Sequence, residues 1–438
     1  MFKRKIEEKL INNYQDKDSK IIIIDGARQI GKSYIIRNTA STYFKNYIEI
    51  DLKTDYEGEK LFEGIKSTKA FYLLIGSLYG DKLNNIDDTI IFLDEIQFYP
   101  ELITLLKDLK KEGRYRYIAS GSLLGVTLKH IFIPMGSIDE IRMYPMDFEE
   151  FLWANNVSKE SISYLKECFI KREKIEEPIH RTFLSLFKDY LICGGLPDAV
   201  IEYVLNLNVM KMREVHEQTY RYYRDDCSKY DLDNKLKISK IYDLLMSNMV
   251  NKVKRIKFNK IENKSNVTLQ RYEDEIDYLI ASGITLQTNA VSNPIFPVNQ
   301  STCKNLVKLY YNDVGILTNL LYKNNIKAIL DTDMGVNLGS VYETVCATEL
   351  RAHGHDLYYF DSKKVGEVDF LINDYDNLSV LPIEIKSGND QNNFRAIPKL
   401  VSKDNGYNLS YGYIFGNKNI VEEKNNLITM PIYMIMFV

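Results

Sequence analysis

Residues 21 to 33 read IIIIDGARQIGKS, and this stretch constrains the fold more than any other in the chain. Four consecutive β-branched residues form a short, wholly apolar run, the mark of a strand buried on both faces of a parallel sheet. The residues that follow, Gly26-Ala27-Arg28-Gln29-Ile30-Gly31-Lys32-Ser33, fit the pattern G-x-x-x-x-G-K-[ST]. In that pattern a turn of backbone N–H groups wraps phosphate oxygens at the start of a helix. Gly26 and Gly31 allow close backbone approach and dihedrals closed to other residues, Lys32 brings a point charge to the β and γ phosphates, and Ser33 places its hydroxyl on Mg²⁺. The candidate nucleotide-gripping set runs from Gly26 to Tyr34. Ser33 to Tyr43 contains no Pro or Gly and carries Ile35, Ile36 and Thr39 at near-helical spacing, which supplies the helix the pattern needs.

A second stretch separates nucleotide binding from nucleotide hydrolysis. Thr89 to Gln97 reads TIIFLDEIQ, an apolar strand that ends in two carboxylates, where ligands sit in open parallel sheets. Downstream of a phosphate loop, Asp94 is expected to hold Mg²⁺ through water, and Glu95 to orient or deprotonate the attacking water. A third strand, Arg116 to Ala119, runs into Ser120-Gly121-Ser122. That hydroxyl, Ser120 first, is either a γ-phosphate contact or part of a plain S-G-S turn.

The 438-residue chain is too long for one core, so two to four domains are expected. A net charge of −3 excludes a protein that coats nucleic acid by bulk charge and leaves room for a local basic patch. Five scattered cysteines without a C-x-x-C pair fit neither a disulfide framework nor a zinc site. His353-Gly-His355 is either a metal pair or a solvated turn. Met1 to Lys20 has no apolar core of signal-peptide length and no apolar run spans a bilayer, so a cytoplasmic protein without membrane partners is expected.

Along the chain, residues 2 to 18 read as an amphipathic helix, and Asp147 with Glu150 as a capping box. Cys193-Gly-Gly-Leu-Pro-Asp198 reads as a rigid corner between helices, because no lysine follows the glycines. Residues 233 to 296 suit a winged helix-turn-helix: two helices flank the basic segment Lys252 to Lys264, and a strand-like tail follows Ser282-Gly283. That basic run is either a phosphate contact or a solvated face. Residues 300 to 438 have an αβββαβ order in which Asp369 on one strand and Glu384-Ile385-Lys386 on the next form D…E-x-K. Glu384 and Lys386 share a face. Asp369 and Glu384, joined by Glu343 from the preceding helix, could hold a second divalent cation while Lys386 stabilises phosphorane charge; the competing reading is an ion-pair ladder or an inactive site.

The pieces GARQIGKS, IIFLDEIQFYPEL, ASGSLLG, YPMDFEEFL, CGGLPDAV, YYRDDCSKY, KLYYNDVGILTNLL, EVDFLI and IEIKSG occur in that order. In them the chain resembles a prokaryotic family of AAA-type ATPases carrying a C-terminal domain of unknown function with a restriction-endonuclease-like fold. The resemblance implies nucleotide binding by Gly26 to Ser33, Mg²⁺ and water handling by Asp94 and Glu95, and a γ-phosphate sensor at Ser120 or Ser122. Two positions depart from the pattern. Gly136-Ser137 stands where many members have Gly-Arg, which leaves Arg142 or Arg116 as substitutes, and Val368 replaces the proline before Asp369.

The expected fold is α/β and multidomain: a P-loop ATPase sheet over 1–155, a helical connector over 156–232, a winged-helix-like region over 233–296 and an endonuclease-like αβββαβ domain over 297–438. The expected function is Mg²⁺-dependent ATP hydrolysis that drives a conformational switch of the C-terminal modules, with DNA, a protein partner or self-association as candidate partners. The alternative is a nucleotide-gated, non-enzymatic scaffold with an inactive nuclease-like domain.

Overall fold

The computed structural model describes residues 2–83, 85–86, 88–122, 124–127, 136–230, 235–250, 256, 261, 269–330, 336–388, 395–402, 406–407 and 409–438. The basic segment Lys252 to Lys264 lies outside the described residues except for Ile256 and Ile261. The chain divides into two compact units, Met1–Tyr144 with Ala281–Gly283, and Pro145–Ile280 with Ile284–Val438.

The first unit is built on five strands, β1 (Ile21–Asp25), β2 (Asn46–Asp51), β3 (Thr89–Asp94), β4 (Arg116–Gly121) and β5 (Ile138–Arg142), in the order β2-β3-β4-β1-β5. Every neighbouring pair is parallel. All five residues of β1 are buried, as an uninterrupted β-branched run requires. Helices α1 (Ile6–Gln15), α2 (Lys32–Tyr43), α3 (Thr68–Tyr79) and α4 (Pro100–Glu112) accompany the sheet. Pro100 opens α4, and Gly113 closes it in a left-handed conformation. Ile23, Ile50, Ile91, Leu93, Ile103 and Leu106 lie in one apolar core. Because the strands are parallel, the residues that follow β1, β3 and β4 emerge at a common edge, with β4 between the other two.

The second unit begins with α5 (Phe148–Ala154), whose capping box has both limbs: Glu150 N donates to Asp147 Oδ1 at 2.9 Å and Asp147 N to Glu150 Oε2 at 3.2 Å. Helices α6 (Lys159–Lys171), α7 (Glu177–Cys193), α8 (Val209–Tyr230), α9 (Lys235–Val250) and α10 (Glu273–Ala281) follow, then α11 (Val314–Tyr322) and α12 (Gly339–Ala352). The glycine corner is as tight as its sequence suggests. A Cβ on Gly195 would lie 2.0 Å from Met146 O, while Gly195 N donates to Asp313 Oδ2 at 2.6 Å and Asp313 also caps α11 through Ile316 N. No side chain of Met146 is available to yield there, since the clash is with backbone. Gly195→Ala is therefore expected to destabilise the second unit by about 3 kcal/mol or more, read as a drop in denaturant midpoint at constant slope.

Eight strands complete this unit, β6 (Thr285–Val291), β7 (Thr302–Tyr311), β8 (Leu357–Ser362), β9 (Gly366–Asp374), β10 (Ser379–Lys386), β11 (Gly412–Gly416), β12 (Glu422–Lys424) and β13 (Leu427–Pro431). They form one mixed sheet in the order β12-β13-β11-β10-β9-β8-β6-β7. The αβββαβ succession is present as α12, β8, β9, β10, α13 (Ala396–Val401) and β11. It is wider than expected, however. The strand-like tail after Gly283 is β6, which pairs antiparallel with β7 and parallel with β8. The strand read as the end of a winged helix thus belongs to the same sheet as the D…E-x-K strands, because its apolar residues pair across the position chosen as a boundary.

Candidate functional site

The nucleotide site follows from the parallel sheet. Gly31 ends the glycine loop at φ +91° and α2 starts at Lys32. Gly26, at φ +148°, is fixed by crowding as well as by conformation, since a Cβ there would sit 2.3 Å from Met143 O, just beyond β5. Lys32 is 6% exposed and folds back on its own loop, donating to Gly26 O at 2.8 Å and Ala27 O at 2.7 Å. Burial pulls its pKa down, and Glu95, Asp25 and Asp94 push the other way.

Across the loop, Ser33 Oγ donates to Asp94 Oδ1 at 3.0 Å, and Ser120 Oγ donates to the same oxygen. One carboxylate therefore ties the loop on β1 to the strand ends of β3 and β4. Burial raises the Asp94 pKa, opposed by the two serine hydroxyls. Glu95 takes a left-handed backbone at φ +55°, an uncommon conformation for a non-glycine residue. Its Oε2 accepts from Ser122 Oγ at 2.8 Å and from Gln97 Nε2. Arg28 Nε donates to Ser122 at 2.9 Å, so this hydroxyl joins the variable part of the loop to the glutamate. The structure brings together Gly26, Ala27, Lys32, Ser33, Asp94, Glu95 and Ser120. Gln29 is the loop's other positive-φ position, at +62°, and Tyr34 is the third residue of α2.

The donor set suits a hard cation. A hydroxyl and a carboxylate oxygen lie side by side at the helix start, and Mg²⁺ is commonly held by one or two protein oxygens with phosphates and waters completing its shell. Three participants escaped the sequence reading. Arg4 donates to Ile30 O at 3.1 Å and Tyr144 O at 2.8 Å, bracing the loop from the N-terminal segment. Asp25 is 2% exposed, with its pKa raised by burial and Arg142 Nε 3.8 Å from its carboxylate. Gln97 bridges Glu95 and Ser122. Asp25 and Gln97 lie inside the quoted stretches IIIIDGARQIGKS and TIIFLDEIQ, next to the named site residues, and that adjacency was the available signal; Arg4 had none.

The two arginines considered as substitutes separate. Arg142 pairs in register with Asp25 at the loop edge of the sheet. Arg116 opens β4 at the opposite edge and donates to Asn13 O and Ser19 Oγ, so it is corrected: strand direction places it away from the phosphate loop.

In the second unit, the expected cation site needs a larger correction. Among the described residues, no three of His, Cys, Asp and Glu gather as metal ligands. Glu343, Asp369 and Glu384 are each engaged otherwise: Tyr310 OH donates to Glu343 at 3.2 Å, Ile385 N to Asp369 at 2.8 Å, and Lys386 Nζ to Glu384 at 2.7 Å. The physical reason is Lys308, 1% exposed on β7, which the sequence reading passed over. Its ammonium pairs with Glu367 and lies 4.4 Å from the Tyr359 ring centroid. Burial alone would depress its pKa; Glu343, Glu367 and Asp369 overcome that and hold it above its ordinary value. A protein cation thus acts on two of the three carboxylates that were expected to share a metal, Glu343 and Asp369, while Lys386 pairs with the third, Glu384. The other suggested metal pair is not assembled either, as His353 Nδ1 donates to Val438 O while its Nε2 faces Asp147 and Glu349.

Residues 18–152 match the family model described as an AAA domain. That match, with the loop geometry above, supports a P-loop domain of the AAA type in this part of the chain. Residues 184–327 and 338–435 match two domains of unknown function, DUF8612 and DUF4143. An uncharacterized protein of Haemophilus influenzae is 27% identical over 203 residues, which is 42% of this chain and 48% of that protein. The chain thus spans about half the length of the curated relative it matches. Among solved structures, the chain aligns with Aeropyrum pernix ORC1 in complex with DNA at 14% identity and TM-score 0.29, covering 75% of this chain and 94% of that one. It aligns with the Thermotoga maritima RuvB Holliday junction branch migration motor at 13% and 0.30, covering 66% and 90%. AMPPCP-bound DnaA from Aquifex aeolicus gives 12% and 0.30, covering 64% and 85%. No helix among the described residues is long and apolar enough to cross a membrane.

Proposed function

We propose that the protein binds and hydrolyses ATP with Mg²⁺, and that the nucleotide state sets the conformation of its C-terminal modules. The observation that carries this reading is the Ser33 Oγ to Asp94 Oδ1 contact of 3.0 Å, which places hydroxyl and carboxylate donors for one cation beside a glycine loop. Lys32 would exchange its two carbonyl partners for phosphate oxygens. Ser120, bonded to Asp94, is the proposed γ-phosphate contact. Glu95 acts as base only after its carboxylate leaves Ser122 and Gln97, so those hydrogen bonds describe a resting arrangement.

The test is ATP hydrolysis by the intact chain, with and without single- and double-stranded DNA, beside Glu95→Gln. The expected result is Mg²⁺-dependent turnover that falls by about a hundredfold in the variant while ATP still binds. DNA enters only through the basic segment Lys252 to Lys264; if it meets about five phosphates, log affinity falls with log salt at a slope of roughly −4 to −5. A flat salt response removes DNA from the proposal.

For the second unit, the burial of Lys308 among Glu343, Glu367 and Asp369 favours a non-cleaving, nuclease-like module that binds a partner. DNA that stays intact in the presence of Mg²⁺ or Mn²⁺ is the outcome this predicts. Metal-dependent cleavage that disappears in Asp369→Ala would overturn it.

A further inference from the structure

At the edge of the first sheet opposite the phosphate loop is a cavity of about 320 Å³, within the range of small-ligand sites. Its wall includes the start of β1 at Ile21, the start of β4 at Arg116, and the C-terminal ends of α1 and α4. Strand β1 runs from this wall to the phosphate loop, so the two sites lie roughly 15 Å apart at the usual rise per strand residue.

The lining is strongly basic. Among the described lining residues, Lys17, Lys20, Lys110, Arg114 and Arg116 contribute cations and Asp88, ion-paired at 2.8 Å with Lys45, contributes an acid. Asp16 and Asp18 also act on Arg116 from the chain just after α1. Two of the cations are held in place by the fold. Lys110 Nζ donates to Ser19 O at 2.8 Å and Asp18 O at 3.1 Å, and Arg116 Nη2 to Asn13 O at 2.7 Å and Ser19 Oγ at 3.0 Å. These bonds fix the heads without neutralising them, because their acceptors are uncharged. Arg116 Nη1 is buried with no hydrogen-bond partner. Burial lowers the pKa of both groups, and the neighbouring Arg116 charge lowers that of Lys110 further, while Asp16, Tyr43, Asp18 and Tyr14 oppose the shift of Arg116. An anion would relieve that repulsion.

The cavity also offers ring surface. Tyr14, Tyr43 and Phe44 pack together with centroids 5.2 to 5.8 Å apart, and Tyr43 remains 45% exposed. Arg114 spreads over Tyr72 and Tyr115 at 4.9 and 5.5 Å, which keeps its guanidinium extended along the wall.

We propose that this cavity is a second ligand site, separate from the phosphate loop, which takes a small phosphate monoester bearing a flat ring, the chemistry of a nucleoside monophosphate. Lys110 and Arg116 meet the phosphate, with Lys20 at the mouth, and the ring rests on Tyr43. Phosphate esters suit it better than a purely apolar ligand, since an uncharged molecule would leave the paired cations uncompensated. A ligand there touches the N-terminal ends of the strands whose other ends hold the nucleotide.

The test is calorimetric titration of adenosine monophosphate and inorganic phosphate into the full chain carrying Lys32→Ala, which removes the phosphate loop's cation. Adenosine monophosphate is expected to bind at one site, and Lys110→Gln in the same background to weaken it about tenfold. Tyr43→Ala should weaken adenosine monophosphate while leaving inorganic phosphate unchanged. Lys20→Gln, at an exposed position, provides the same charge test should Lys110→Gln fail to fold. Loss of all binding in Lys32→Ala would assign the ligand to the phosphate loop and overturn the proposal. Binding indifferent to both Lys110→Gln and Lys20→Gln would overturn it too.

Discussion

Lys32→Ala is expected to lower ATP turnover by at least about a hundredfold, the scale of losing one preorganised donor to developing phosphate charge. The loss should appear in turnover number as well as in affinity, because the ammonium is held within the loop by Gly26 O and Ala27 O before any nucleotide arrives. Lys32→Arg should not restore activity: a planar guanidinium cannot occupy a buried position shaped around a compact ammonium. Steady-state hydrolysis at saturating Mg²⁺, with circular dichroism to confirm folding, is the measurement. Turnover that persists at the parent rate would remove the phosphate loop from the reaction and with it the proposed function.

The second large effect concerns the other unit. Lys308→Ala leaves Glu343, Glu367 and Asp369 without the cation that holds their charge, and breaking a buried pair in this way costs about 3–5 kcal/mol. The lower end is expected, because the Glu367 side chain is 33% exposed and water screens part of its charge. Urea titrations of parent and variant at pH 7 check this; a loss below about 1 kcal/mol would show that the cluster does not depend on this lysine.

Tests of the two units are independent in design. The phosphate-loop experiment reads chemistry, and the Lys308 experiment reads stability. A protein that hydrolyses ATP and leaves DNA intact would combine the proposed ATPase with the non-cleaving C-terminal module.

The glycine loop, the acidic strand end and the capping box were legible because each depends on neighbours a few residues apart. Burial of Ile21 to Ile24 follows from an unbroken β-branched run, and the positive φ of Gly31 from the turn that must precede α2. Chain-local physics also marked the Gly194-Gly195 corner, where the helix stops and Pro197 restarts one. What the sequence left open was which distant side chains would meet. Arg4 bracing Ile30, and Ser122 joining Arg28 to Glu95, depend on the order in which the strands assemble. Strand direction alone moved Arg116 from a suggested phosphate contact to the far edge of the sheet.

The same division explains the C-terminal correction. Alternation on β10 placed Glu384 and Lys386 on one face, a property of any extended strand. That Lys308 would enter the neighbouring acidic cluster was decided when β6 and β7 joined the sheet beside β8, a pairing with no local signature. Sequence determined the elements, their ends and the chemistry each could carry; tertiary structure chose their partners, because charge compensation in a buried site depends on which side chains are brought within a few ångströms of one another.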